Sequence, residues 1–144
     1  MPSSIPALSV RQPWAELIVS GQKTIEVRSW TTQYRGTFWL HTGNAVDTAA
    51  AQAGGLDHLY TGGYVGCVNL VAVVSFDASR WEMWRGKHLI DGPYRSGQFA
   101  WLLDAPRRFR VPVKGPGSLG LFRPRELVLA QLALSLKPED SAPT

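Results

Sequence analysis

Apolar and polar positions change period twice within the first forty residues. Ala7–Val10 is a short apolar run that reads as a strand. Pro13 then suits the first turn of a helix, and Trp14, Leu17 and Ile18 recur at helical spacing before Gly21 stops it. A short amphipathic helix over Gln12–Ser20 follows, with Trp14 on its core side. From Lys23 to Trp30 the period falls to two. Ile25 and Val27 share one face; Thr24, Glu26, Arg28 and Trp30 share the other. Gln33–Gly36 is a turn, and Thr37–Thr42 is a strand carrying Phe38, Trp39 and Leu40. Asn44 can cap a helix through Gln52, with Asp47 in its first turn and Gly54–Gly55 at its end.

Tyr64–Phe76 is apolar almost throughout, the mark of a central strand buried on both sides. Asp77–Gly97 has no regular period, and only Arg80–Trp84 reads as a helical turn. Phe99–Leu103 and Arg108–Val113 read as two strands around a turn at Asp104–Arg107, and Pro112 puts the second at an edge. Gly115–Gly120 is a glycine-rich loop, and Pro124–Leu136 is a closing helix. Five to six strands and about three helices, without regular βαβ alternation, predict an α+β fold. Its form is a mixed, mostly antiparallel β-barrel with helices on its flank. Residues 7–136 form a single domain between loose tails at 1–6 and 137–144.

Composition narrows the class. A chain of 144 residues with 44% apolar content can build a core without disulfides, and its one cysteine, Cys67, lies in the buried run as an inert thiol. A disulfide framework is excluded, and nothing suggests a metal site or a cofactor. Neither a secretory leader nor a membrane span is visible, so a cytoplasmic setting is the expectation. Charge is unevenly placed. The chain carries +4 overall, yet from Arg80 to Arg125 ten cations face only Glu82, Asp91 and Asp104. Arginine supplies eleven of the fifteen cations, and its planar fork suits phosphates and base edges. Such a half is a footprint for a polyanion.

Several residues could carry chemistry. Glu26 and Arg28 lie two apart on one strand face and can pair, with Lys23 where the chain leaves the helix. One acid between two cations can position a phosphate, hold a lysine near neutrality, or form a solvated ion pair. Arg11 and Gln12 at the helix start could meet an anion or a base edge. Trp30, on the polar face, could stack on a base, whereas Trp39 and Trp101 belong to the core. His41 reads as a hydrogen-bonded structural histidine. The stretch Lys114–Gly120, including Ser118, lacks the ending of a P-loop but could approach a phosphate through its backbone.

Ala7–Ile18, followed by Gly21-x-Lys23-x-x-Glu26-x-Arg28-x-Trp30, resembles the N-terminal signature of the ASCH domain. Phe99–Leu103, Pro112–Gly115 and Leu119–Phe122 are similar to that family's final strands and closing loop. The resemblance implies a PUA-like barrel with a basic cleft that handles RNA or a nucleotide, DNA remaining open. It places Lys23, Glu26 and Arg28 in that cleft with Arg11 and Gln12 nearby. Small bacterial relatives hydrolyse N4-acetylcytidine, but carry threonine where this chain has Glu26, which speaks against that chemistry here. Other relatives cleave single-stranded RNA, and Lys23, His41 and Ser118 are candidates for such a step. The expectation is therefore an RNA or modified-nucleotide binding module. The alternative is a hydrolase on the same site, a metal-independent ribonuclease before an amidohydrolase, with Lys23 and Glu26 as its catalytic residues. A third reading has the basic and aromatic stretch 80–95 meeting an acidic protein partner.

Overall fold

The computed structural model describes residues 5–136. Strand β3 (Gly36–Thr42) shows how the core is divided. Phe38 and Leu40 enter one cluster and Trp39 enters another, and all three are fully buried. Consecutive residues can stay apolar in this way only where both faces of a sheet are covered. Helix α1 (Trp14–Val19) supplies one cover: Ala15, Ile18 and Val19 join Phe38, Leu40, Val68 and Trp101. Helix α5 (Glu126–Ser135) supplies the other, with Val128 and Leu132 joining Trp39, Tyr64, Cys67 and Phe109. Each fully buried aliphatic side chain of this kind contributes about 1.5–3 kcal/mol.

The remaining strands are β1 (Ala7–Ser9), β2 (Ile25–Arg28), β4 (Gly63–Ser75), β5 (Phe99–Lys114) and β6 (Leu121–Phe122). They join β3 in a mixed sheet of order β2-β5-β4-β3-β1-β6, which curls into a half-barrel of α+β type. β1 runs parallel to β3, while the other pairs are antiparallel. β4 is central, as its apolar run implies. Burial covers only its first half, however, and Val71 is exposed. At Gly66 a Cβ would strike the Arg107 carbonyl and lie 2.6 Å from Val19, so only glycine lets β4 pass between β5 and α1.

Three elements differ from the sequence reading. The segment Asp104–Arg107 is not a turn between two strands. β5 continues through it, with Ala105 at φ 51° and three register shifts against β4 absorbing the irregularity. β2 pairs only with Phe99–Leu102, so Pro112 does lie on a strand edge, where its missing N–H costs no ladder bond. Asp47, not Asn44, caps helix α2 (Thr48–Ala53), its carboxylate accepting from Ala50 N–H at 3.1 Å. The irregular stretch after β4 folds into two short helices, α3 (Ala78–Met83) and α4 (Arg85–His88), so the described residues hold five helices rather than three. Asp77 caps α3 by accepting from Arg80 N–H at 2.7 Å.

Two cations of this corner, Arg80 and Arg85, are engaged within it. Arg85 forms a fork with Glu82 and donates to the Ile90 and Gly92 carbonyls, while Arg80 donates to Ser75 and lies over Trp84. Trp81 is buried against Phe76 and His88. Ile5 and Pro6 are not a loose tail: Ile5 packs against the Trp39 cluster, and the Pro6 carbonyl accepts from Trp39 N–H at 2.8 Å. The rest of the expected tails, 1–4 and 137–144, lies outside the described residues. No helix among the described residues is long and apolar enough to cross a membrane.

Candidate functional site

Gly21, at φ 86°, turns the chain back after α1, and Lys23 N–H then donates to Leu17 O at 2.8 Å. This reversal sends the Lys23 side chain inward, where it is 1% exposed. Its ammonium donates to the His88 carbonyl at 2.5 Å, sits 3.9 Å from Glu26 Oε1 and lies 5.1 Å from the Trp14 ring. Burial lowers its pKa to about 8. The Glu26 carboxylate opposes that shift, and the Arg28 guanidinium adds to it.

The His88 carbonyl is held firmly. Its imidazole Nδ1 accepts from Ile90 N–H at 3.0 Å, which leaves Nε2–H to donate to Trp81 O at 2.9 Å. The ring stacks on Trp81 with centroids 4.0 Å apart. This is a neutral histidine, and burial pushes its pKa below the usual value. It was not among the residues singled out from sequence, and a backbone acceptor 65 residues from Lys23 leaves no sequence signal.

Glu26 and Arg28 pair as their spacing on β2 implies: Nε donates to Oε2 at 2.9 Å, and a second guanidinium nitrogen donates to Ser9 O at 2.7 Å. Arg28 thereby braces β2 against β1. Together with Arg11, Trp14, Lys23 and Trp30, and with Ser9, Val10 and Ile90 on the walls, these side chains line a cavity of about 470 Å³. Three cations and one carboxylate face it. Trp30 is half-buried, with its ring edge against Trp101 at 4.9 Å and its carbonyl accepting from Trp101 Nε1 at 3.2 Å. Trp14, read as core from its helical spacing, is only half-buried and forms part of this wall. Its neighbour Arg11 was the available hint.

Other residues from the sequence reading lie elsewhere. Gln12, expected near the cleft, is 1% exposed and turned inward. Its amide donates to Tyr60 O at 2.8 Å and accepts from Glu16 N–H at 2.9 Å, so both ends are used within the fold. Thr24 precedes β2, is exposed and does not line the Lys23 cavity. His41 and Lys114 line a second cavity of about 570 Å³ with Asn44, Tyr60 and the backbone of Gly115–Gly117. Ser118 is exposed and lines neither cavity.

His41 accepts from Ser9 Oγ at Nδ1, 2.8 Å away, and donates from Nε2 to Gly115 O at 2.9 Å. Burial lowers its pKa, and the Gly115 carbonyl partly offsets that effect. Among the described residues, no group of three or more His, Cys, Asp or Glu side chains is placed to hold a metal ion.

The class is thus an α+β half-barrel, a curled mixed sheet with helices on both faces and a cation-lined cleft at the start of β2. The profile of the ASCH domain matches residues 8–113, and the chain belongs to that family, which is related to RNA-binding PUA-like domains. It is similar over 94% of its length to the crystal structure of ASCH from Zymomonas mobilis, with a TM-score of 0.66, 18% identity and 96% of that chain covered. A mutant of the same protein aligns with a TM-score of 0.65, again at 18% identity, over 94% of this chain and 97% of that one. Among curated proteins it is similar to human activating signal cointegrator 1, 58% identical over 33 residues, and to the mouse protein, 54% identical over 33 residues. Those 33 residues are 23% of this chain and 6% of either relative.

Proposed function

We propose that the protein binds single-stranded RNA, or a nucleotide from it, in the cavity around Lys23 and Arg28. The observation that carries this reading is the buried Lys23 ammonium, which faces a cleft where three cations meet one carboxylate. Burying a cation is costly unless it is paired, and Glu26 is shared with Arg28. An incoming phosphate offsets the excess positive charge. Trp30 and Trp14 offer aromatic surface at the same cavity, and ring stacking accepts any base. Family membership supports the reading, because related PUA-like domains bind RNA.

Titration of a labelled single-stranded RNA with the wild type and with Arg11→Gln tests it. Arg11 is exposed and carries no ion pair among the described residues, so its removal leaves the fold intact. Binding that weakens in the variant is expected. No binding by the wild type removes the proposal.

A second reading makes the same cavity catalytic, as a metal-independent ribonuclease. It is favoured by a Lys23 pKa of about 8, close to the working range of a general base at neutral pH. An amidohydrolase acting through Thr24 has less support, since Thr24 does not line the cavity. Incubating single-stranded RNA, and separately N4-acetylcytidine, with wild type and Lys23→Met discriminates. Product from the wild type that is lost in the variant supports an enzyme; no product, or equal product, leaves binding alone.

A further inference from the structure

We propose that the protein takes two adjacent nucleotides of one strand, one in each of two cavities that share the Ser9–His41 pair as their dividing wall. This rests on the binding function proposed above and goes beyond it by assigning a second subsite. Ser9 lines the cavity of Lys23 and Arg28, and His41 lines the larger one. The two are Cα partners where β1 and β3 end side by side, and the serine hydroxyl donates to the imidazole at 2.8 Å. This pair therefore forms part of the partition between the two spaces.

The larger cavity, about 570 Å³, falls in the size range of small-ligand sites. Its chemistry complements that of the first. The Lys23 side is crowded with charge and suits a phosphate. The other side has one cation, Lys114, together with the Asn44 amide and the Tyr60 ring. Among the described residues, neither the Lys114 nor the Asn44 side chain has a hydrogen bond or ion pair, so both are available to a ligand. An asparagine amide can pair with a base edge, and a tyrosine ring can stack on its face. Glycine at positions 62 and 117 brings bare backbone to the wall, which admits a flat ring closely.

The wall itself is fixed. Gly115 O accepts from His41 Nε2–H at 2.9 Å, and Gly117 packs so close that a Cβ there would lie 2.5 Å from Ser9 Oγ. The glycine loop is thereby seated on the pair, and Arg28 reaches the same serine from the opposite side through its carbonyl. A strand crossing Ser9 would keep its phosphate near Arg28 and place the next base beside Asn44 and Tyr60.

The test is equilibrium binding of uridine monophosphate as its methyl ester, which carries one phosphodiester charge as the dinucleotide UpU does, and of UpU to wild type, Asn44→Ala and Lys114→Ala. Both residues are exposed, so neither substitution threatens the fold. The dinucleotide is expected to bind the wild type about tenfold more tightly than the monophosphate, the effect of one stacked base. Each variant is expected to lose most of that gain while keeping its affinity for the monophosphate. Equal affinity of the wild type for both probes overturns the second subsite alone, as do variants that bind both probes as the wild type does. A wild type that binds neither probe overturns the underlying binding function as well.

Discussion

The ammonium of Lys23 and the carbonyl of His88, 2.5 Å apart, join the start of β2 to the α3–α4 corner in the interior of the protein. A lysine placed there is held away from its ordinary ionisation. Its pKa falls from 10.5 to about 8 on folding, chiefly by burial. Below pH 8 both folded and unfolded chains carry the proton, and the folded state bears the full cost of a buried charge. Between pH 8 and 10.5 the unfolded chain binds the proton and the folded one does not, so stability contributed by this group rises with pH. At 1.36 kcal/mol per pKa unit the rise is roughly 3 kcal/mol. Urea unfolding of the wild type and of Lys23→Met from pH 7 to 10.5 isolates it. The raised pKa values of Tyr64 and Cys67 act in the opposite direction but cancel in the difference. A difference that stays flat over this range contradicts the assignment.

Glu26 acts on the same titration from the other side. Its carboxylate, 3.9 Å from Lys23 and 2.9 Å from Arg28, favours the charged lysine. Glu26→Gln removes that support, so the Lys23 midpoint should fall further below its wild-type position. Stability should also fall, by about 1–3 kcal/mol, because the buried donors lose a charged acceptor. The Lys23 Cε chemical shift followed against pH reads the midpoint directly. A midpoint that does not move means that Glu26 serves Arg28 alone.

The limits of sequence legibility follow from how far apart the partners lie. Period-two spacing was enough to pair Glu26 with Arg28, and apolar density was enough to bury Trp39 and Trp101. Local turn chemistry misled at Asp104–Arg107, because pairing with β4 carries the strand across residues that would form a turn on their own. Gln12 was misplaced for a similar reason: its partner Tyr60 is 48 residues away. The adjacency of the two cavities was invisible as well. It depends on Ser9 and His41 becoming partners in parallel strands, a pairing that no local pattern announces.

Gly117 offers a local test of the wall between the cavities. A methyl group there would press on the His41 ring and lie 2.5 Å from Ser9 Oγ. His41 is 2% exposed and bonded at both nitrogens, so it cannot yield cheaply. Gly117→Ala should cost about 1–3 kcal/mol by overpacking. Gly86→Ala is the control, since a Cβ there meets nothing within 4 Å and the position is helical. It should stabilise by roughly 0.5–1 kcal/mol. Thermal unfolding of the two variants separates these outcomes, and a neutral Gly117→Ala would mean that the loop is free to move off the pair.

In the proposed binding mode, cations around Lys23 and Arg28 receive the phosphates of a single strand. The salt dependence of RNA affinity tests it most directly, because each phosphate neutralised contributes about −0.7 to the slope of log K against log salt. Titrations of a single-stranded RNA from low to moderate salt should give a steep negative slope for the wild type. Arg11→Gln should bind more weakly and show a shallower slope, by about 0.7. An affinity that is flat with salt, or a slope that Arg11→Gln leaves unchanged, would mean that no phosphate is received in this cavity.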